Sequence, residues 1–291
     1  MGEFMSVSEP LLDIRRVSAN GISVNVATAG DGPAVVLLHG WPHTWEVWRP
    51  VLPTLASTHR VIAPDLRGLG ASDKPDDGYH LHTLADDAVA LLDVLGIERA
   101  AVVGIDLGAP VAFMTAARHR DRVERLVVME SLLGRLPGAE RFLANGPPWW
   151  FGFHAVPGLP ETVLAGNVGA YIDWFLRVGT YGLSGVPKPL RDAFVAAYED
   201  PRTLHCGFQH YRAMPINAAL IAEAVAEGPL RMPVLALGGN VVGDALHRQL
   251  VPVAPDLRGA ILERCGHIIP ADAPDALLAE LGPFLAESPA V

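Results

Sequence analysis

Only two cysteines, Cys206 and Cys265, occur in the chain, far apart and without metal-ligand spacing. Their scarcity excludes a disulfide framework and a cysteine-based zinc site and fits a reducing compartment, although one bridge between them stays open. A basic surplus is also missing: 22 Lys and Arg stand against 32 Asp and Glu, a formal net charge of -10. Nucleic-acid backbones and anionic lipid surfaces are therefore excluded as partners. No apolar run approaches the ~20 residues that cross a bilayer. The start lacks a charged segment followed by an apolar one, so the expected location is the cytoplasm. Internal repeats and low-complexity tracts are absent too. Residues 1–5, Met1-Gly2-Glu3-Phe4-Met5, look like a cloning scar ahead of a start at Met5 and are set aside.

What is present is a chain of 291 residues, 50% hydrophobic and 19% charged, enough for a sizeable core in one large α/β domain or a domain with an insertion. Short β-branched runs at 22–27, 34–38, 60–63, 101–104 and 123–129 read as strands, and 81–95 reads as an amphipathic helix ended by Gly96. That alternation indicates a largely parallel sheet covered by helices. Asn20-Gly21 has the signature of a two-residue hairpin, and so of an antiparallel edge. After Glu130 the pattern changes: residues 131–216 are punctuated by Pro and Gly and hold 13 of the 20 Phe, Trp and Tyr. Strands and helices resume at 233–238, 245–251, 259–262 and 273–286. The expected organisation is an α/β core of residues 6–130 and 217–291 with a helical cap, 131–216, inserted between its halves.

Asp106, in Gly104-Ile105-Asp106-Leu107-Gly108, stands between an apolar strand and a helix beginning near Pro110. A strand-turn-helix hydrolase motif normally carries serine there. An aspartate before a helix also serves simply as a cap. As a nucleophile, however, a carboxylate attacks a saturated carbon and forms an ester that water cleaves at the aspartyl carbonyl, whereas serine would form an ether that does not hydrolyse.

Four motifs agree in order: His39-Gly40-Trp41-Pro42 after the third strand, Asp65 to Pro75 after the fourth, the Asp106 turn after the fifth, and Cys265-Gly266-His267 after the last. Together they resemble the α/β-hydrolase superfamily across essentially the whole chain, and within it the epoxide hydrolase and dehalogenase branch. The resemblance implies an eight-stranded, mostly parallel sheet with helices on both faces and a helical cap after the sixth strand. It implies Asp106 as nucleophile, His267 as general base for ester hydrolysis, and Glu130 as the acid that orients the histidine, with Asp244 as the alternative. The backbone N–H groups of Trp41 and Leu107 would form the oxyanion hole. His39 and the Asp65 loop are assigned structural parts.

The leaving group separates epoxide from halide. Tyr211 resembles the cap tyrosine that donates to an epoxide oxygen, and with an ordinary pKa of ~10 it is protonated at neutral pH. Trp150 occupies the second cap position as an N–H donor, and Trp149 and Phe151 are candidate pocket walls. Haloalkane dehalogenases usually have tryptophan after the nucleophile, where this chain has Leu107. Haloacetate dehalogenases carry arginines just beyond it, where this chain has Ala109, Pro110 and Val111. Both departures favour an epoxide hydrolase acting on a small, neutral, hydrophobic epoxide and water, without metal or cofactor. A dehalogenase with the same triad and a non-catalytic ligand-binding protein on this scaffold are the alternatives. His154, His205 and His210 read as surface residues. Similar capped enzymes are often homodimers, which makes dimerisation an expectation of the resemblance.

Overall fold

A computed structural model describes residues 12–287; the presumed scar at 1–5 lies outside them. Eight strands form one sheet: β1 (Asp13–Ala19), β2 (Ile22–Ala29), β3 (Ala34–Leu38), β4 (Arg60–Pro64), β5 (Ala100–Ile105), β6 (Val123–Met129), β7 (Val234–Gly238) and β8 (Leu257–Ile261). Their spatial order is β1-β2-β4-β3-β5-β6-β7-β8. The pairings β1–β2 and β2–β4 are antiparallel and all others parallel. Asn20 and Gly21 join β1 to β2 with φ of +46° and +75°, the conformation that a two-residue hairpin turn requires.

Burial follows from this topology. β3, β5 and β7 are buried along their whole length because helices cover both faces. The edge strands β1 and β8 are mostly exposed or half-buried. Helices Leu81–Val94 and Gly108–Arg118 pack together, and the second also lies against β5 and β6. β8 begins and ends slightly earlier than the 259–262 read from sequence, because half-buried Leu257 and exposed Arg258 pair with β7 despite their weak apolar pattern. Cys206 and Cys265 are buried free thiols, so the bridge left open by the sequence does not form.

Between β6 and β7 the regular structure of the described residues is helical: Trp149–Ala155, Leu159–Leu164, Val168–Val178, Lys188–Glu199, Pro201–Arg212 and Met214–Ala226, with a short 3-10 turn. The last of these starts just before position 217 and packs on helices Leu81–Val94 and Gly108–Arg118. The helical layer is tied to the loops at the carboxyl ends of the strands. Arg202 donates to the Lys74 carbonyl and pairs with Asp76, and His210 meets the Arg67 carbonyl at 3.0 Å. The N–H of Ile268 donates to the Gly179 carbonyl at 3.0 Å, joining the loop after β8 to this layer. Carboxyl-terminal strand ends are where open α/β sheets gather ligands, and here they lie under the helices. Among the described residues, no helix is long and apolar enough to cross a membrane.

Candidate active site

The turn after β5 is built by exclusion of side chains. A Cβ on Gly104 would fall 2.2 Å from the Gly108 carbonyl oxygen, and one on Gly108 2.2 Å from that of Leu38. Only glycine lets strand, turn and helix come so close. Asp106, at the apex, has φ of +53°, a left-handed conformation that costs on the order of 1–3 kcal/mol for a side chain other than glycine. Its carboxylate is thereby lifted above the sheet edge.

Both carboxylate oxygens are engaged. The Trp41 N–H donates to Oδ1 at 2.8 Å, and the adjoining Leu107 amide also favours the ionised carboxylate. Oδ2 lies 3.1 Å from His267 Nε2, and His267 Nδ1 lies 3.2 Å from Glu130 Oε2. Glu130, also left-handed at φ +44°, is fully buried beyond β6 and accepts the amides of Gly239 and Val242 after β7. Loops after β3, β5, β6, β7 and β8 thus meet at one carboxylate–imidazole–carboxylate line. Asp244 is not part of it; its carboxylate accepts from Arg248 Nε at 2.7 Å on the surface. Asp244 stands at the start of helix Ala245–Leu250, although its side chain does not cap it.

The line is electrostatically coupled. Burial favours a neutral imidazole at His267, but the hydrogen bonds and charges of Asp106 and Glu130 outweigh it and raise the pKa to about 10. Burial likewise pushes Asp106 up, and the His267 hydrogen bond and charge more than reverse it, leaving the carboxyl below its usual range. Both shifts favour the ion pair of a protonated His267 with the Asp106 carboxylate. His39 and the Asp65 loop are structural: Leu66 N–H donates to His39 Nε2, and Asp65 accepts from Trp45 N, Asn25 Nδ2 and Ala71 N.

Above this line, Tyr211 is buried, and its hydroxyl has no protein hydrogen bond among the described residues. Burial first, and the charge of Asp106 next, hold its pKa well above the ordinary value, so it is protonated. The ring beside it is His154, edge-on with centroids 4.4 Å apart. His154 is buried, in contrast to the surface position read from sequence, and its Nε2 lies 2.7 Å from the Tyr171 hydroxyl. Burial lowers its pKa to about 3, so it is neutral, and its Nδ1 has no partner among the described residues. Trp150, one turn earlier, packs on Phe175 at 5.4 Å and Trp174 at 6.1 Å and shares no ring contact with Tyr211 or Trp41. The two cap positions singled out in the sequence, 150 and 211, are not brought into contact.

Phe151 lies 5.8 Å from Tyr211, whereas Trp149 is 54% exposed, at the outer end of the aromatic cluster. Trp41 stacks edge-on with His154 at 4.7 Å and Phe175 at 4.8 Å. His205 is half-buried beside Glu161 at 2.8 Å, while His210 is buried against the core, again unlike its sequence reading. The signal that could have found His154 is its place as the one titratable residue in Trp149-Trp150-Phe151-Gly152-Phe153-His154, in i,i+4 register with Trp150.

Comparison with known proteins fits this geometry. A family model described as alpha/beta hydrolase fold matches residues 33–158. The soluble epoxide hydrolase of Corynebacterium sp. strain C12 is 34% identical over 89% of this chain and 92% of its own length. The fluoroacetate dehalogenase of a Burkholderia species is 30% identical over 68% of each chain. The solved epoxide hydrolase CorEH superposes with a TM-score of 0.87 at 31% identity, covering 95% of this chain and 99% of that one. The fold and the site define a hydrolase. The chain belongs to the α/β-hydrolase superfamily, in the branch that holds the epoxide hydrolases and dehalogenases.

Proposed function

We propose that this hydrolase opens epoxides to vicinal diols through an aspartyl ester, with the helical segment 131–216 acting as a lid on the core. The observation that carries the reading is the buried, protonated Tyr211 hydroxyl, free of protein partners and within electrostatic reach of Asp106. In the first step Asp106 Oδ2 attacks an epoxide carbon, the ring C–O bond breaks, and the alkoxide takes the Tyr211 proton. His154, neutral and adjacent, assists by donating a hydrogen bond at the same oxygen. In this reading His154 takes the part that the sequence alone suggested for Trp150.

Alkylation removes one of the two carboxylate charges that hold His267 protonated. Its pKa falls, its proton resets Tyr211, and the neutral imidazole becomes the base of the second step. Glu130 keeps the ring oriented through Nδ1. Water gives a proton to His267 Nε2 and its oxygen to the Asp106 carbonyl carbon. Oδ1 already accepts from the Trp41 amide, with the Leu107 amide next to it in the chain, so the developing oxyanion forms inside its hole. Collapse expels the second diol oxygen, which takes the His267 proton, and ionisation of the new carboxyl restores the starting pair.

The test is incubation of the His267→Gln variant with styrene oxide, followed by intact-mass and peptide mapping. An adduct of one substrate mass on Asp106, with diol from the wild type, is expected; no adduct and no diol would sink the reading. The similarity to a fluoroacetate dehalogenase supports a second reading with the same Asp106 ester. Halide release without diol formation would favour it.

A further inference from the structure

The loop that carries His267 is wedged between two neighbours. One is the loop after β7: the Asn240 N–H donates to the Cys265 carbonyl at 2.7 Å, and a Cβ on Gly239, whose own amide holds Glu130, would fall 2.2 Å from the Gly266 carbonyl oxygen. The other is the stretch 179–181 of the helical segment, just beyond helix Val168–Val178. A Cβ on Gly266 would fall 2.5 Å from the Gly179 carbonyl oxygen and 2.8 Å from Thr180 Cα. A single carboxyl oxygen then ties the histidine loop to that stretch. Asp272 Oδ2 accepts the Gly266 N–H at 2.6 Å and the Tyr181 N–H at 2.7 Å. An aspartate just before a helix ordinarily caps it, yet helix Pro274–Ala286, two residues on, has no side-chain cap. The half-buried Asp272 side chain accepts no other hydrogen bond among the described residues.

Gly266 directly precedes His267, so the oxygen that binds the helical segment also fixes the peptide that carries the imidazole. The ring has little slack. Its Nε2 lies 3.1 Å from Asp106 and its Nδ1 3.2 Å from Glu130, both near the long end of a hydrogen bond. A loop shift of about 1 Å would lose one of them. We propose that Asp272 is a positioning residue for His267, which brings the general base into line only while residues 179–181 are docked on its loop. This rests on the covalent reading above. Alkylation is less exposed to the link, because the attacking carboxylate sits on its own turn and is held by the Trp41 amide. Ester hydrolysis depends on it directly, since His267 Nε2 must take the proton of the attacking water.

The test separates the two amides. Asp272→Ala removes the acceptor for both, whereas Asp272→Asn keeps an acceptor oxygen. Tyr181→Pro deletes only the helical segment's donor; Tyr181 opens the 3-10 turn Tyr181–Leu183 after an extended Thr180, where proline fits. Tyr181→Ala keeps that donor and loses only the ring, which lies 5.9 Å from the Arg264 guanidinium. With styrene oxide in rapid-quench experiments, Asp272→Ala should form the Asp106 ester within about twofold of the wild-type rate and hydrolyse it about 10- to 100-fold more slowly. Ester should accumulate, and kcat and KM should fall together with kcat/KM unchanged, a split that a general loss of structure would not produce. Tyr181→Pro should slow hydrolysis about tenfold, while Asp272→Asn and Tyr181→Ala should stay within about threefold of wild type. Equal slowing of both steps, Asp272→Asn as slow as Asp272→Ala, or Tyr181→Pro no slower than Tyr181→Ala would each overturn the role. Should Asp272→Ala fail to fold, the Tyr181 pair carries the decision alone. No ester in His267→Gln would sink the covalent reading and this inference with it; an ester there, with wild-type hydrolysis in Asp272→Ala and Tyr181→Pro, would sink this inference only.

Discussion

Glu130 and Asp106 adopt left-handed backbone at the ends of neighbouring strands, and both are held there by specific partners rather than by local preference. Glu130 touches His267 and two amides, whereas Asp244 faces solvent on Arg248. Glu130→Gln should therefore slow diol formation by about 10²-fold or more, while Asp244→Asn should stay within about twofold, both read as steady-state kcat. The His267 titration gives a second test. Its pKa is raised when folded, so its ionisation stabilises the fold fully below the unfolded value near 6.5 and loses that effect as pH rises through about 10. Asp106→Asn removes one hydrogen-bonded anion and should bring the imidazole pKa down, measurable by NMR titration. Between pH 6 and 10 the wild type should lose more denaturant-measured stability than the Asn variant; equal losses would contradict the coupling.

At the level of elements, the strands were legible because buried parallel strands are short, continuous β-branched runs, and β3 and β6 fall where their sequences place them. The turn at Asp106 was legible for a steric reason, since two glycines flank a residue that must leave the sheet within one turn of chain. Gly104→Ala and Gly108→Ala should each destabilise by about 1–3 kcal/mol in urea unfolding, because the new methyl meets backbone oxygen rather than a yielding side chain. The helical segment between β6 and β7 was less legible. Trp150 and His154 lie in i,i+4 register on a helix of only seven residues, and which turn faces Tyr211 depends on how that helix docks. Aromatic composition says that a cluster exists there, but not which ring is innermost.

Across the whole molecule, charge bears on the substrate. The net charge of -10 is accompanied at the site by two carboxyl groups for one imidazole, and two arginines of the turn after β4 and the helical segment, Arg67 and Arg212, are already paired. Arg67 is bound to Asp87, and Arg212 to both oxygens of Glu161. An anionic haloacetate would approach a repulsive field, with neither of these guanidiniums free to receive it, whereas a neutral epoxide is indifferent to that field. Accordingly, kcat/KM for styrene oxide should change by less than about twofold between low and ~0.3 M salt, a range over which screening shortens to a few ångströms. Fluoroacetate should be turned over far more slowly, and any residual rate should rise with salt as repulsion is screened. A fluoroacetate rate that matched the epoxide rate and fell with salt would mean an attractive cation faces the substrate. That result would move the assignment to the dehalogenase side of the branch, because the Asp106 ester is common to both and only the recognition of what leaves separates them.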